Sequence, residues 1–161
     1  MRVHNVHERE LPASPGEVGA LLDGLEQWWP SDRWPALRPD RPLGVGARSK
    51  RGPIREEVVD YEPGRRIDFE LKAPRGLVAR HRFEVEPEAA GRAVLRHTID
   101  GRLEGWARLS WPLAIRPLHD ALIEDLLDRA EAEVTGAPGP ARGWTRRVRV
   151  LRWAFGKARR A

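Results

Sequence analysis

The stretch Leu77-Val-Ala-Arg-His-Arg-Phe-Glu-Val-Glu86, followed after Ala89-Ala-Gly91 by Ala93-Val-Leu-Arg-His-Thr-Ile-Asp-Gly-Arg-Leu103, decides how this chain is read. In the first half Ala79, His81, Phe83 and Val85 alternate with Arg80, Arg82, Glu84 and Glu86. In the second, Ala93, Leu95, His97 and Ile99 share one face. A period of two with one apolar face is the signature of a half-buried antiparallel hairpin. A turn near Ala89 that pairs Val85 with Ala93 sets Phe83 against Leu95 and His81 against His97, with Cβ atoms about 5 Å apart.

The same pattern continues on both sides. Arg66 to Lys72 alternates around Ile67, Phe69 and Leu71, and Glu62-Pro63-Gly64-Arg65 before it has the residues of a type II turn. Ile54 to Tyr61 and a glycine-containing Leu43 to Lys50 read as two further strands, turned by Gly52-Pro53. Residues 1–11 read as an edge strand. Ser14, Pro15 and Glu17 form a capping box ahead of Val18, Leu21, Leu22 and Leu25, and Gly24 divides this segment into two short helices. Residues 28–42 hold four prolines and three tryptophans and form no regular element. Pro112 and Pro117 delay or kink a long helix. From Leu118 onward that helix carries Leu118, His119, Leu122, Leu126 and Ala130 on one side, with Asp120, Glu124, Asp128 and Glu131 on the other. The expected fold is α+β: a curved antiparallel sheet of about six to seven strands wrapped around a long C-terminal helix, with two short helices after the first strand.

Composition narrows the function. With 161 residues and no cysteine, a disulfide framework, a thiolate metal site and a cysteine nucleophile are excluded. The formal net charge is +5, but residues 1–135 hold 21 basic against all 24 acidic residues, and 136–161 hold the other eight basic residues and no acid. Nucleic acid is therefore not an expected partner of the domain, and the tail needs its own account. No phosphate-binding glycine loop or nucleophile elbow is present, and Gly44-Val-Gly46 lacks the third glycine and following helix of a dinucleotide fingerprint. No cofactor is expected. With no long apolar run and no apolar leader segment, the expected location is cytoplasmic, with a peripheral position at the inner membrane face through the tail.

The segments Leu11-Pro-Ala-Ser-Pro-Gly-Glu-Val18, Val59-Asp-Tyr-Glu-Pro-Gly-Arg-Arg-Ile67, His81-Arg-Phe-Glu-Val85 and His119-Asp-Ala-Leu-Ile-Glu-Asp-Leu-Leu127 resemble the SRPBCC, or START-like, superfamily, in particular small bacterial proteins of polyketide cyclase-like type. The resemblance covers residues 1–135. It implies a helix-grip fold with a deep cavity between the sheet and the long helix, usually holding a hydrophobic small molecule. Some members are cyclases and many only bind or carry, so the fold leaves the activity open.

Three histidines carry the candidate chemistry. His81, His97 and His119 fall on inferred inner faces and converge on one space, as a general acid/base set or as ligand contacts; a metal is not expected. Phe83, Leu95 and Leu122 are expected to line the cavity, with Trp28, Trp29 and Trp34 either closing its mouth or stapling the proline-rich loop to the core. Trp106 and Trp111 read as packing residues. Of Glu56 and Glu57 only one can face inward; a buried one would be a candidate base, and solvated surface carboxylates are the expectation. The readings of function are binding, transport or sequestration of a hydrophobic or amphipathic small molecule; a cyclase- or dehydratase-like enzyme using the histidines for proton transfer; and docking to an anionic membrane or a protein partner. The last rests on residues 144–161, joined by a Gly/Pro linker at 136–143. There Trp144, Leu151 and Phe155 form an apolar stripe beside Arg146, Arg149 and Arg152, the pattern of a basic amphipathic helix; the alternatives are a short strand at Arg147-Val-Arg-Val-Leu151, a helix docked back on the domain, and a disordered basic end.

Overall fold

The computed structural model describes residues 1–137 and 143–158, with side chains through residue 155; most of the expected linker, at 138–142, lies outside the described residues. Strand β1 (Arg2–Leu11) leads into α1 (Pro15–Asp23) and α2 (Leu25–Trp28). The capping box forms as read: the Glu17 amide donates to Ser14 Oγ at 3.4 Å, and the Ser14 amide donates to the Glu17 carboxylate at 2.8 Å. Gly24 separates the two helices. Gly19 lets α1 settle on the turn at Gly64, since a Cβ there would lie 2.2 Å from the Gly64 carbonyl oxygen.

Strands β2 (Arg48–Arg51), β3 (Ile54–Glu62), β4 (Arg66–Ala73), β5 (Leu77–Glu88) and β6 (Arg92–Leu103) complete a six-stranded antiparallel sheet in the order β1-β6-β5-β4-β3-β2. The expected Leu43–Lys50 strand is cut to its end. Residues 43–46 turn instead, around Gly46 at φ 86°, because the glycines favour turn conformations over a paired ladder.

The β5–β6 register also differs from the expected one. Ala89–Gly91 forms a single 3-10 turn with Ala90 at φ 58° and Gly91 at φ 72°. Val85 therefore pairs with Leu95, Phe83 with His97, and His81 with Ile99. The slip is two residues, an even number, so every side chain keeps its face, and His81 and His97 become diagonal neighbours.

After α3 (Ala107–Ser110), the π turn Trp111–Ile115 leads into α4 (Arg116–Thr135), which ends at Gly136 with φ 66°. Pro112 and Pro117 cannot donate to a regular helical ladder, and the wider turn absorbs the break. Trp111 is buried as expected. Trp106 is 75% exposed, so its packing role is corrected: it starts α3 at the surface.

The main core lies between α1, α4 and the inner face of the sheet, around Leu11, Val18, Leu22, Phe69, Phe83, Leu95, Leu126 and Leu127. A smaller cluster at the far end joins Val3, Leu77, Ala79, Ile99, Leu103 and Trp111.

The acidic stripe of α4 is paired within the domain. It meets the inner face of β1, where Asn5, His7 and Arg9 are polar: Arg9 binds Asp128 at 2.9 Å, Glu131 at 2.7 Å and Glu124 at 3.1 Å. The wheel missed this because β1 supplies the counter-charges from a distant part of the sequence.

The tail forms α5 (Arg146–Ala158), folded back on α4. Val148 is buried, and the Trp144 indole donates to Asp125 at 3.0 Å. Arg152 lies over the rings of Trp144 at 3.8 Å and Trp34 at 4.4 Å. Trp144 and Arg152, expected to meet a membrane or partner, are thus engaged by the domain itself, and Leu151 is half-buried. Arg146, Arg149 and Phe155 remain exposed. An apolar stripe cannot distinguish a bilayer from a neighbouring helix, and α4 is the nearer partner.

Candidate functional site

A polar layer divides the two apolar clusters. It starts at Glu56 on β3, which is 2% exposed and corrects the expectation of a solvated carboxylate. Glu56 accepts from Ser49 Oγ at 2.7 Å and from Arg51 through a fork of 2.8 and 2.6 Å. Arg51 also lies over the Trp29 ring at 4.7 Å. The fourth contact to Glu56 is His81 Nε2 at 2.9 Å. Burial pushes the Glu56 carboxyl upward, and the Arg51 charge together with the His81 contact outweighs it, holding the group far below the usual carboxylate range.

From His81 the layer continues across the sheet and into α4. His97 Nε2 lies 3.4 Å from His81 Nδ1. The His97 and His119 rings have centroids 5.0 Å apart, and His119 faces His7 at 6.0 Å. The structure therefore brings His81, His97 and His119 together. It adds His7, which directly opposes His97 on β1. A signal for His7 existed in the alternation of β1, whose inward positions Val3, Asn5, His7, Arg9 and Leu11 are mixed in character, so polarity alone concealed their common face.

Charge along the layer is uneven. Burial, then the neighbouring His119, His81, His7 and Arg51, push His97 well below the usual histidine range. Burial lowers His119 as well, partly offset by Asp120. His7 is raised, chiefly by its hydrogen bond to Asp120 and against its burial, with help from Glu124. Both of its ring nitrogens face carboxylates, Asp120 at 3.2 Å and Glu124 at 2.9 Å, a setting that favours the protonated ring. Burial opposes ionisation of Asp120, and His119 and His7 overcome it, leaving that carboxyl far below its ordinary range.

Tautomers follow from the network. Ionised Glu56 only accepts, so His81 Nε2 carries a proton. His119 Nδ1, 3.4 Å from Asp120, donates there, which leaves its Nε2 as a lone pair. His97 Nδ1 and His119 Nε2 are both buried without a hydrogen-bond partner, which costs about 1–3 kcal/mol each.

The remaining expected lining residues are placed as follows. Trp28, Trp29 and Trp34 are buried, and their indoles donate to the Leu21 carbonyl, the Pro35 carbonyl and Asp125 respectively. These bonds tie the proline-rich loop to the body of the domain. Phe83 and Leu95 are buried in the main core, and Leu122 packs half-buried at its edge.

Buried side chains of the sheet and α4 join in one cluster across the space where a cavity was expected. A cleft of about 610 Å³ lies between α4 and the start of α5. Pro112, Pro117, Ala121, Trp144 and Val148 form its apolar walls, and Asp120, Glu124 and Asp125 line it with Arg116 and Arg147. Asp120 joins this cleft to the polar layer. Among the described residues, His7, His119 and Asp120 bring three potential metal-ligand atoms within 4.8 Å of one another.

Residues 2–135 match the family described as polyketide cyclase/dehydrase and lipid transport. The chain belongs to this family. Its six-stranded sheet and long C-terminal helix are the helix-grip fold. Norcoclaurine synthase from Thalictrum flavum is similar at 16% identity and a TM-score of 0.64, over 85% of this chain and 88% of that one. CalU16 from Micromonospora echinospora is similar at 15% identity and a TM-score of 0.60, over 96% and 84%. A protein from Thermobifida fusca is similar at 21% identity and a TM-score of 0.61, over 83% and 93%. At these identities the likeness shows the fold alone. No curated protein matches the chain significantly. Family membership makes this a ligand-binding fold, and no helix among the described residues is long and apolar enough to cross a membrane.

Proposed function

We propose that this protein binds a hydrophobic or amphipathic small molecule in the cleft between α4 and α5. The observation that carries this reading is the continuity of the apolar-walled cleft with the polar layer through Asp120. A cleft of this volume accommodates a small organic molecule. Its apolar part would lie against Pro117, Ala121 and Trp144, and a polar group would reach the carboxylate and histidine end. Such a module transports or sequesters its ligand.

The test is native mass spectrometry of the purified protein with extraction of what co-purifies, followed by titration with an apolar fluorescent probe. Ala121→Trp fills the cleft and should abolish probe binding, whereas Leu95→Phe, in the interior, should leave it unchanged. The reverse outcome moves the site between sheet and helix.

A second reading rests on the buried Glu56–His81 pair. A carboxylate fixed by Arg51 that orients a histidine is the arrangement of a general acid/base, suited to cyclisation or dehydration by proton transfer. His81→Gln should then abolish turnover of a bound substrate while leaving its binding intact.

A further inference from the structure

The geometry points to a divalent metal site formed by His7, His119 and Asp120, taking zinc or another borderline transition-metal ion. It stands on these side chains alone and does not depend on which molecule occupies the cleft.

The distances fit. Metal–ligand bonds of about 2.0–2.2 Å in a tetrahedron put neighbouring donor atoms about 3.3–3.5 Å apart. His7 Nε2 and Asp120 Oδ1 are 3.2 Å apart, and His119 Nδ1 and Asp120 Oδ1 are 3.4 Å apart. Two edges of the tetrahedron are therefore already present. The third, between the two imidazoles, lies within 4.8 Å and closes with a small ring movement.

The surroundings fit as well. A metal-binding histidine usually donates its second nitrogen to a carboxylate, which fixes the ring. His7 Nδ1 does this to Glu124 at 2.9 Å, and Arg9 holds Glu124 in turn at 3.1 Å. On His119, metal at Nδ1 places the ring proton on Nε2, which has no hydrogen-bond partner, so the second-nitrogen anchor is supplied on the His7 side alone. Two nitrogens and one carboxylate oxygen suit zinc, cobalt or nickel better than calcium or magnesium, which prefer all-oxygen sets. Three protein ligands leave a fourth position, as catalytic zinc sites do. Asp120 also lines the cleft, so a cleft-bound molecule or water can supply that ligand.

The experiment uses the full-length, chelator-stripped protein without an affinity tag. Calorimetric titration with zinc chloride should show one equivalent bound. His7→Gln and Asp120→Asn should each weaken binding at least 100-fold, and Glu124→Gln about 10- to 100-fold. His4→Gln, at an exposed histidine paired with Asp100, should change nothing. Circular dichroism checks that each variant is folded. The cobalt-loaded wild type provides a reading independent of any variant, through the intense visible bands of a tetrahedral ion. Absence of stoichiometric binding, a pale octahedral cobalt spectrum, or equal binding by folded His7→Gln overturns the proposal.

Discussion

His81 and Glu56 are joined by a 2.9 Å contact between Nε2 and Oε2 in a part of the core where their side chains are only 6% and 1% exposed. Neither group could be held there alone, because a buried charge is tolerated only when it is paired and fully hydrogen-bonded. Arg51 completes the pairing through two short contacts to the same carboxylate. Removing the carboxylate strands Arg51 as an uncompensated buried cation. Glu56→Ala should therefore lose about 3–5 kcal/mol of stability, whereas Ser49→Ala, which removes one of several donors, should lose about 1 kcal/mol. Urea unfolding of the two variants measures both. Similar small losses would mean that Arg51 finds water when Glu56 is gone.

The same carboxylate sets an acid limit on stability. Its folded-state affinity for protons is depressed, so its contribution is fully present above the unfolded-state value of about 4.3 and is lost as pH falls below that value. The stability gap between wild type and Glu56→Gln should be largest near neutrality and should shrink as pH falls through the carboxylate range. Urea midpoints of the two proteins across that range test the sign. A gap that widens on acidification refutes the assignment.

Where the sequence was legible, one local pattern carried the information. The alternation of β5 and β6 showed which side chains point inward even though the turn length was misjudged, because a two-residue slip preserves parity. The capping box at Ser14 and the division at Gly24 were legible for the same local reason. Long-range pairing was not. Glu56 looked like surface because Arg51 and His81, which make its burial tolerable, could not be placed around it from sequence. The partners of the α4 carboxylates were not visible because β1 lies more than a hundred residues away. The convergence of His81, His97 and His119 was readable from face and periodicity; the fourth histidine, His7, sat on a strand too polar to reveal its inner face. The location of open space depended on side-chain volumes and on where α5 docks, and neither is encoded in a periodicity.

Asp125 is the hub on which α5 and the proline-rich loop are docked. It accepts from Arg33 at 2.8 Å, from the Trp34 indole at 2.6 Å and from the Trp144 indole at 3.0 Å. Trp34 and Trp144 also meet edge to face at 5.6 Å. Trp144→Phe removes one donor but keeps most of the ring, and should cost about 1 kcal/mol. Asp125→Ala leaves two indole donors and Arg33 unpartnered together and should cost at least twice as much, with α5 released. Thermal unfolding gives the two losses, and hydrogen exchange over residues 146–155 reports whether α5 has come free. Unchanged protection in Asp125→Ala would place the docking energy in Val148 instead.

Leu126 decides between a filled interior and an internal cavity. It is fully buried in the main core, alongside Phe83, Leu95 and Leu127. In a solid core, truncation removes both the transfer energy of the side chain and its contacts with neighbours that cannot collapse, and costs about 2–5 kcal/mol. Leu126→Ala should show a loss in that range and should acquire an affinity for small apolar molecules such as benzene, visible as a benzene-dependent rise in melting temperature. Wild type should show no such rise from an interior site, and Ala121→Trp, which blocks only the cleft, should leave the new site in Leu126→Ala intact. A loss under about 1 kcal/mol, with benzene already stabilising the wild type when the cleft is blocked, would mean that the sheet and α4 enclose usable space in solution. The ligand would then belong inside the sheet, against His97 and His119, and not between α4 and α5.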